Sequence, residues 1–355
     1  MSAVDGLRDS KLFENYDKQV FFEALNESLE VWKQNELYRR KLEHSDFEGE
    51  VESWEDVKKL PTIGMKEFKN HPEDLAIEEQ DEQKALYSSG TTSGTKSFAP
   101  RTDETLEIHK ENLERFAKQI IGDVDYSAAL SVSEKDLEKL PTDLSRRALF
   151  RYILWLMDQF NTSYFVEVDE EQNIEPDHEG LLEYLQEHDG KGVIKASTSG
   201  MASFCEFLEE RDEEIDLGED GIIITGGGWK GDSGKTREEL RTQIADLFNI
   251  KENHQLDFYS ATEFTFFTGP KPGDEDPDAK RVPSQAYTYI ADLEKFREKG
   301  VVEPVEEGDE GLLVVVDPLN QSYPGVILTD DVMKKTGSEY GKDTRIKHMG
   351  RSTKI

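Results

Sequence analysis

Three stretches of the sequence gather groups suited to handling phosphate. Ser88–Lys96 reads SSGTTSGTK, a run of small hydroxyl and glycine residues with one lysine. Such a loop offers many N–H and O–H donors with little bulk, so it can close over the β- and γ-phosphates of ATP while Lys96 adds charge. Its simpler reading is a surface linker. Gly226-Gly227-Gly228-Trp229-Lys230 follows the apolar run GIIIT, and Gly234-Lys235-Thr236 comes just after it. A Walker A loop needs G-x-x-x-x-G-K-[ST], but its first glycine would fall on Trp229, where an indole crowds a tight phosphate wrap. At Lys96-Ser97 the preceding residue is Thr95 where glycine is required. Val316-Asp317 imitates a Walker B aspartate. A P-loop ATPase or kinase is therefore one alternative reading.

The elements that would position these groups alternate between helix and strand. Val20, Phe21, Ala24, Leu25, Leu29 and Trp32 recur at helical spacing between Phe13 and Leu42, a core-facing stripe. The pattern predicts helices at Glu104–Ile121, with His109 on its surface, at Ser145–Asn161, at Met201–Glu210 and at Thr236–Phe248. Strands are expected at Ser163–Val168, Gly192–Ala196, Gly221–Thr225 and Gln255–Tyr259, the last leading into a turn at Ser260–Glu263. From Gln285 onward strands dominate, at Ala286–Ile290, Gly311–Val316 and Gly325–Thr329. The reading divides the chain into a helical region, 1–86, an α/β core, 87–284, and a β-rich portion, 285–355.

Several motifs, in order, resemble the acyl-adenylate-forming superfamily, and most of all the LuxE-like acyl-protein synthetases and phenylacetate–CoA ligase-like enzymes. SSGTTSGTKS (Ser88–Ser97) resembles the superfamily's phosphate loop, with one additional residue, Ser93. TGGGWKG (Thr225–Gly231) resembles the GGGWK segment of LuxE-like members. DFYSATE (Asp257–Glu263) is similar to YGxTE, LTDDV (Leu328–Val332) to the TGD or TDD motif, and Gly350-Arg351 to the hinge GR. KASTSGMASFCEFLEE, beginning at Lys195, resembles the segment beside the family's acyl pocket. Together these cover nearly the whole chain.

The resemblance implies an α/β fold: the N-terminal-domain fold of an adenylate-forming enzyme, with mixed sheets packed against helices and a small β-barrel-like part. It implies ATP- and Mg²⁺-dependent activation of a fatty or aryl carboxylic acid to an acyl-adenylate, followed by transfer to a thiol on coenzyme A or a partner protein. Ser89, Thr91, Thr92, Gly94 and Lys96 would hold the β- and γ-phosphates. Tyr259 would stack on adenine, with Gly226, Gly227 and Gly228 beneath it. Glu263 would hold Mg²⁺, Thr262 would touch the α-phosphate, Asp331 would bind the ribose hydroxyls and Arg351 would lie at the hinge. The family's C-terminal lid lysine has no counterpart before Ile355, so the expectation is that the lid is absent. Two alternatives follow: Lys230 stands in for its lysine, or a separate chain supplies the domain. The further alternative is a non-catalytic nucleotide- or acyl-binding subunit. LuxE-like proteins also carry an acyl-accepting cysteine near the C-terminus, whereas the single cysteine here, Cys205, lies in an apolar-striped helix, the usual setting of buried filling.

Composition sets limits on partners. The chain has 355 residues with 77 acidic against 43 basic side chains, a formal net charge of −34. Charge of that sign repels polyanions, so no nucleic-acid partner is expected. No apolar run reaches the ~18–20 residues that span a bilayer, and the N-terminus lacks an apolar signal core, so the expectation is a cytoplasmic protein without membrane insertion. Acid spread over the whole chain is also what proteins of a high-salt cytoplasm show.

Overall fold

The computed structural model describes residues 2–14, 17–78, 86–87, 97–141, 144–226 and 235–352. They form two compact units. The first gathers 1–112, 260–268 and 279–355; the second gathers 113–259 and 269–278.

The first unit is built on a mostly antiparallel sheet. Its strands run, in spatial order, Ala279–Arg281, Arg345–Arg351, Val326–Thr336, Glu310–Val316 and Tyr287–Ala291, and the short strand Ile63–Gly64 pairs parallel with Ile327 and Leu328. Helix Lys18–Trp32 starts on the Asp17 side chain, which accepts from the Gln19 N–H, the usual way an orphan helix donor is satisfied. It buries Phe21, Phe22, Ala24, Leu25, Leu29 and Trp32. Trp54 stacks on Tyr287 with ring centroids 4.4 Å apart and closes an aromatic cluster with Phe21, Phe22 and Tyr340. Trp32 also donates its indole N–H to the Asn320 carbonyl at 2.8 Å, so the apolar stripe carries a polar anchor for a distant loop.

The second unit holds a sheet ordered Ile174–Pro176, Ser163–Val168, Tyr126–Val132, Gly192–Lys195, Ile222–Gly226 and Gln255–Phe258. All but the first pairing are parallel. Parallel strands are covered on both faces, so they read as continuous apolar runs. Gly192–Lys195 is buried at every position. Helix Thr198–Arg211 packs Met201, Phe204, Cys205 and Leu208 into the core beside Ile194, Ile223 and Phe248. Ser197 caps its N-terminus, accepting from the Gly200 N–H at 3.0 Å.

The strand order reverses beside Tyr126–Val132: the chain goes from there to Ser163–Val168 on one side, and returns to Gly192–Lys195 on the other. In open α/β sheets, ligands collect at the carboxyl ends of strands near such a reversal.

His109 is a correction. It is fully buried rather than on the surface. Thr105, Ile108, His109 and Asn112 are all buried along the helix Asp103–Ile121, and their spacing puts the imidazole on the core-facing stripe. Its surroundings hold the ring well below its ordinary pKa, through burial first and the Arg101 charge second.

Candidate active site

In the first unit the site is built around Glu263. The turn Ala261–Phe264 closes with the Phe264 N–H on the Ala261 carbonyl at 3.1 Å and presents Glu263 to the interior, 2% exposed. Ser97, the last residue of the Ser88–Ser97 motif, donates its hydroxyl to Glu263 Oε1 at 2.7 Å. Two motifs far apart in sequence therefore meet at one carboxylate. Burial pushes the Glu263 pKa up, and the Ser97 hydrogen bond and the Arg101 charge work against that rise. The carboxylate and its hydroxyl partner are oxygen donors, the set a hard divalent cation such as Mg²⁺ prefers.

The turn is fixed from behind by residues absent from the motif reading. Arg101, 1% exposed, donates through Nη2 to the carbonyls of Thr262 at 2.7 Å and Phe264 at 2.9 Å. Through Nη1 it reaches Asn320 Oδ1 at 3.4 Å, and its guanidinium lies 5.1 Å from the centre of the Tyr323 ring. Tyr323 donates its hydroxyl to the Glu263 carbonyl at 2.7 Å. Asp317 accepts from the Thr265 N–H at 2.8 Å and from the Thr265 hydroxyl at 2.9 Å. The buried cluster thus sets one guanidinium among two acids, the arrangement that keeps a buried charge tolerable. Burial raises the Asp317 pKa, while the Thr265 hydrogen bonds lower it. Asp317 matched a Walker B pattern in the sequence; here its side chain braces the turn instead. The signal that could have exposed Arg101 is a cation placed just past an apolar strand at Phe98–Ala99.

Asp331 and Arg351 are brought together. They face each other in register on the strands Val326–Thr336 and Arg345–Arg351, and Arg351 donates its Nε–H to Asp331 Oδ1 at 2.8 Å. His348 Nε2 lies 3.4 Å from the same oxygen. Asp331 is 5% exposed. Its neighbour Asp330 turns the other way, as strand alternation requires, and pairs with Lys69 at 3.1 Å. The strand extends to Thr336, beyond the expected Gly325–Thr329, so both acids are strand residues.

In the second unit Gly226 closes the strand Ile222–Gly226, paired with Phe258, and Tyr259 follows half-buried. A Cβ on Gly226 would come within 3.2 Å of the Phe258 carbonyl oxygen and 3.5 Å of Lys195 Nζ. Lys195 is a further residue the motif reading passed over. It is 4% exposed and ends its strand. Asp257, on the strand beyond, pairs with Arg237. Thr236 is spent on a capping box with Glu239, and Lys235 pairs with Glu209 at 3.6 Å, so the Walker-like lysine and threonine are engaged locally. Cys205 is fully buried, and burial pushes its thiol up to about 12, the state of a packing residue rather than a nucleophile. Ser89, Thr91, Thr92, Gly94, Lys96, Gly227, Gly228 and Lys230 lie outside the described residues.

Comparison with known proteins adds the family. The family described as "Acyl-protein synthetase, LuxE" matches residues 8–355. The long-chain-fatty-acid–luciferin-component ligase of Vibrio harveyi is 24% identical over 307 residues, covering 84% of this chain and 74% of that protein. Its counterpart from Aliivibrio fischeri is 24% identical over 309 residues, covering 85% and 75%. Among solved structures, a 2-hydroxyisobutyryl-CoA ligase in the postadenylation state with 2-HIB-AMP superposes with a TM-score of 0.67 at 13% identity, over 97% of this chain and 71% of that one. A long-chain-fatty-acid–CoA ligase from Archaeoglobus fulgidus gives 0.50 at 16% identity, over 75% and 51%. At these identities the structures speak to the fold: that of the adenylate-forming enzymes.

Proposed function

The chain belongs to the LuxE acyl-protein synthetase family, and from that premise we propose that it uses ATP to activate a carboxylic acid as an acyl-adenylate and passes the acyl group to a thiol. The observation that carries this reading is the Ser97–Glu263 hydrogen bond, 2.7 Å long and buried. It ties the end of the phosphate-loop-like motif to the glutamate of the YGxTE-like motif, which adenylation requires to act on one nucleotide.

The chemistry is attack of a substrate carboxylate oxygen on the α-phosphorus of ATP, with the bond to the pyrophosphate oxygen breaking. Little covalent work falls to the protein; orientation and neutralisation of charge carry the rate. Asp331 would accept hydrogen bonds from the ribose hydroxyls, held in place by Arg351. Tyr259 would stack on adenine over Gly226, Gly227 and Gly228. Thr262 would donate to the α-phosphate, and Arg101 keeps its carbonyl, and so its backbone, still. Ser89, Thr91, Thr92, Gly94 and Lys96 would hold the outer phosphates, and Lys230 would bring a cation toward the reacting one. Mg²⁺ would be held by Glu263, and when bound it supplies positive charge to the phosphate oxygens. The acid is of the fatty or aryl class, and the thiol belongs to coenzyme A or a partner protein. Among the described residues, no helix is long and apolar enough to cross a membrane, in keeping with a cytoplasmic enzyme.

ATP–pyrophosphate exchange across a panel of carboxylic acids tests this. We expect acid-dependent exchange that falls at least ~100-fold in Glu263→Gln, the scale of losing one well-placed electrostatic group. Formation of ADP and phosphate instead would point to a kinase or ATPase. Exchange that survives Glu263→Gln would remove the metal assignment.

A further inference from the structure

The ammonium of Lys195 is buried at the carboxyl edge of the parallel sheet of the second unit, and nothing in the proposed chemistry uses it. The residue is 4% exposed. Among the described residues its Nζ has one hydrogen-bond acceptor, the Ala196 carbonyl at 2.9 Å. An ammonium carries three donors, so two remain unspent. Asp257 acts on it only as a charge, and Asp257 is itself paired with Arg237. Such a cation is costly unless something completes its shell. Burial accordingly depresses its pKa to about 8.

Its position is informative. Lys195 ends the strand beside the reversal in strand order, where open α/β sheets take their ligands. Its Nζ lies 3.5 Å from the point a Cβ on Gly226 would occupy, so a side chain at 226 would crowd the ammonium where glycine does not. The residue also opens the KASTSGMASFCEFLEE segment, which resembles the wall of the acyl pocket. Its register partner on the next strand, Ile224, is buried and apolar. A plain alkyl chain would leave the two N–H groups unsatisfied in such a place.

Resting on the adenylation reading above, we propose that Lys195 is a specificity-determining residue, and that the acid this protein activates carries a second oxygen function, a hydroxyl, oxo or carboxylate group on its chain, which accepts a hydrogen bond from the Lys195 ammonium. A site built to satisfy a buried donor rejects an analogue lacking the acceptor far more strongly than an apolar pocket rejects a change of one methylene. The lysine does no covalent work and touches the chain of the acid rather than the reacting carboxylate.

The test uses pairs of acids matched in length, one plain and one bearing a hydroxyl, oxo or second carboxylate group. ATP–pyrophosphate exchange is measured with the intact protein and with Lys195→Met and Lys195→Gln. We expect the intact protein to prefer an oxygenated acid at least ~100-fold in kcat/KM. Lys195→Met should reverse the ranking and favour the plain acid. Lys195→Gln, which retains a donor, should keep part of the preference. Calorimetric titration of the same acids reads binding without turnover. If no acid supports exchange, the adenylation reading falls, while a titration preference for oxygenated acids that is lost in Lys195→Met still upholds the role of Lys195. A plain acid used as well as its oxygenated match, or a preference unchanged in Lys195→Met, overturns the proposal. Thermal melts of both variants show whether they fold, and we expect Lys195→Met to melt no lower than the parent, because it removes a buried charge.

Discussion

At the scale of single residues, the site holds acids where water is scarce. The folded state raises the pKa of Glu263 through burial. For such a group the protonated form is favoured in the folded chain relative to the unfolded one. Stability from this residue is therefore greatest below its unfolded value and declines as pH rises through the folded one. On the proposed metal role, activity would have the opposite slope, because holding a cation needs the carboxylate. We expect Glu263→Gln to melt at least as high as the parent at pH 8, and to lose the pH dependence of exchange on the acid side; a lower melting temperature there would mean that the carboxylate is braced better than its burial suggests. Part of the geometry is legible in the residues: the motifs single out Asp331 and Arg351, and the two side chains touch at 2.8 Å. His109 was misread because a lone histidine between charged residues looks solvated. The helical stripe of Thr105, Ile108 and Asn112 that buries it mixes polar with apolar residues and so gives a weak periodic signal.

At the scale of elements, the turn Ala261–Phe264 matters more than any helix, since it aims Glu263 and is held by one guanidinium. Arg101 satisfies the carbonyls on both sides of that glutamate. Removing it leaves those carbonyls and two buried acids uncompensated, at a cost of about 3 kcal/mol. We expect Arg101→Met to lower stability by that order in urea unfolding, and Arg101→Lys to keep the charge while losing the fork, so that exchange falls in both. Full activity in Arg101→Lys would show that charge alone suffices. The strands Gly192–Lys195 and Ile222–Gly226 follow the sequence expectation within a residue at each end, because buried parallel strands are mainly apolar. Tyr126–Val132 was not foreseen: its sequence, YSAALSV, is rich in small residues and poor in the branched ones that signal a strand. The extension of Val326–Thr336 was hidden for the opposite reason, since Asp330, Asp331, Lys334 and Lys335 make it look like a loop. Its pairing with Arg345–Arg351 outweighs that composition, a long-range effect that no local window contains.

At the scale of the whole molecule, the −34 charge spreads self-repulsion over the surface, which salt screens within about a Debye length. We expect the melting temperature to rise between low and molar KCl; a flat or falling curve would set aside the high-salt reading. The first unit draws together segments from both ends of the sequence: Ser28 donates to the Pro318 carbonyl, 290 residues further on, and Ile63 pairs with Ile327. The greater part of the second unit is one continuous stretch, 113–259. On a ribosome adding about 5–20 residues each second, that stretch can begin to fold while the helices of the first unit still wait for their sheet. For an interval of tens of seconds, Phe21, Phe22 and Trp32 have no core to enter, which makes the nascent chain, rather than the finished enzyme, the species most dependent on chaperones.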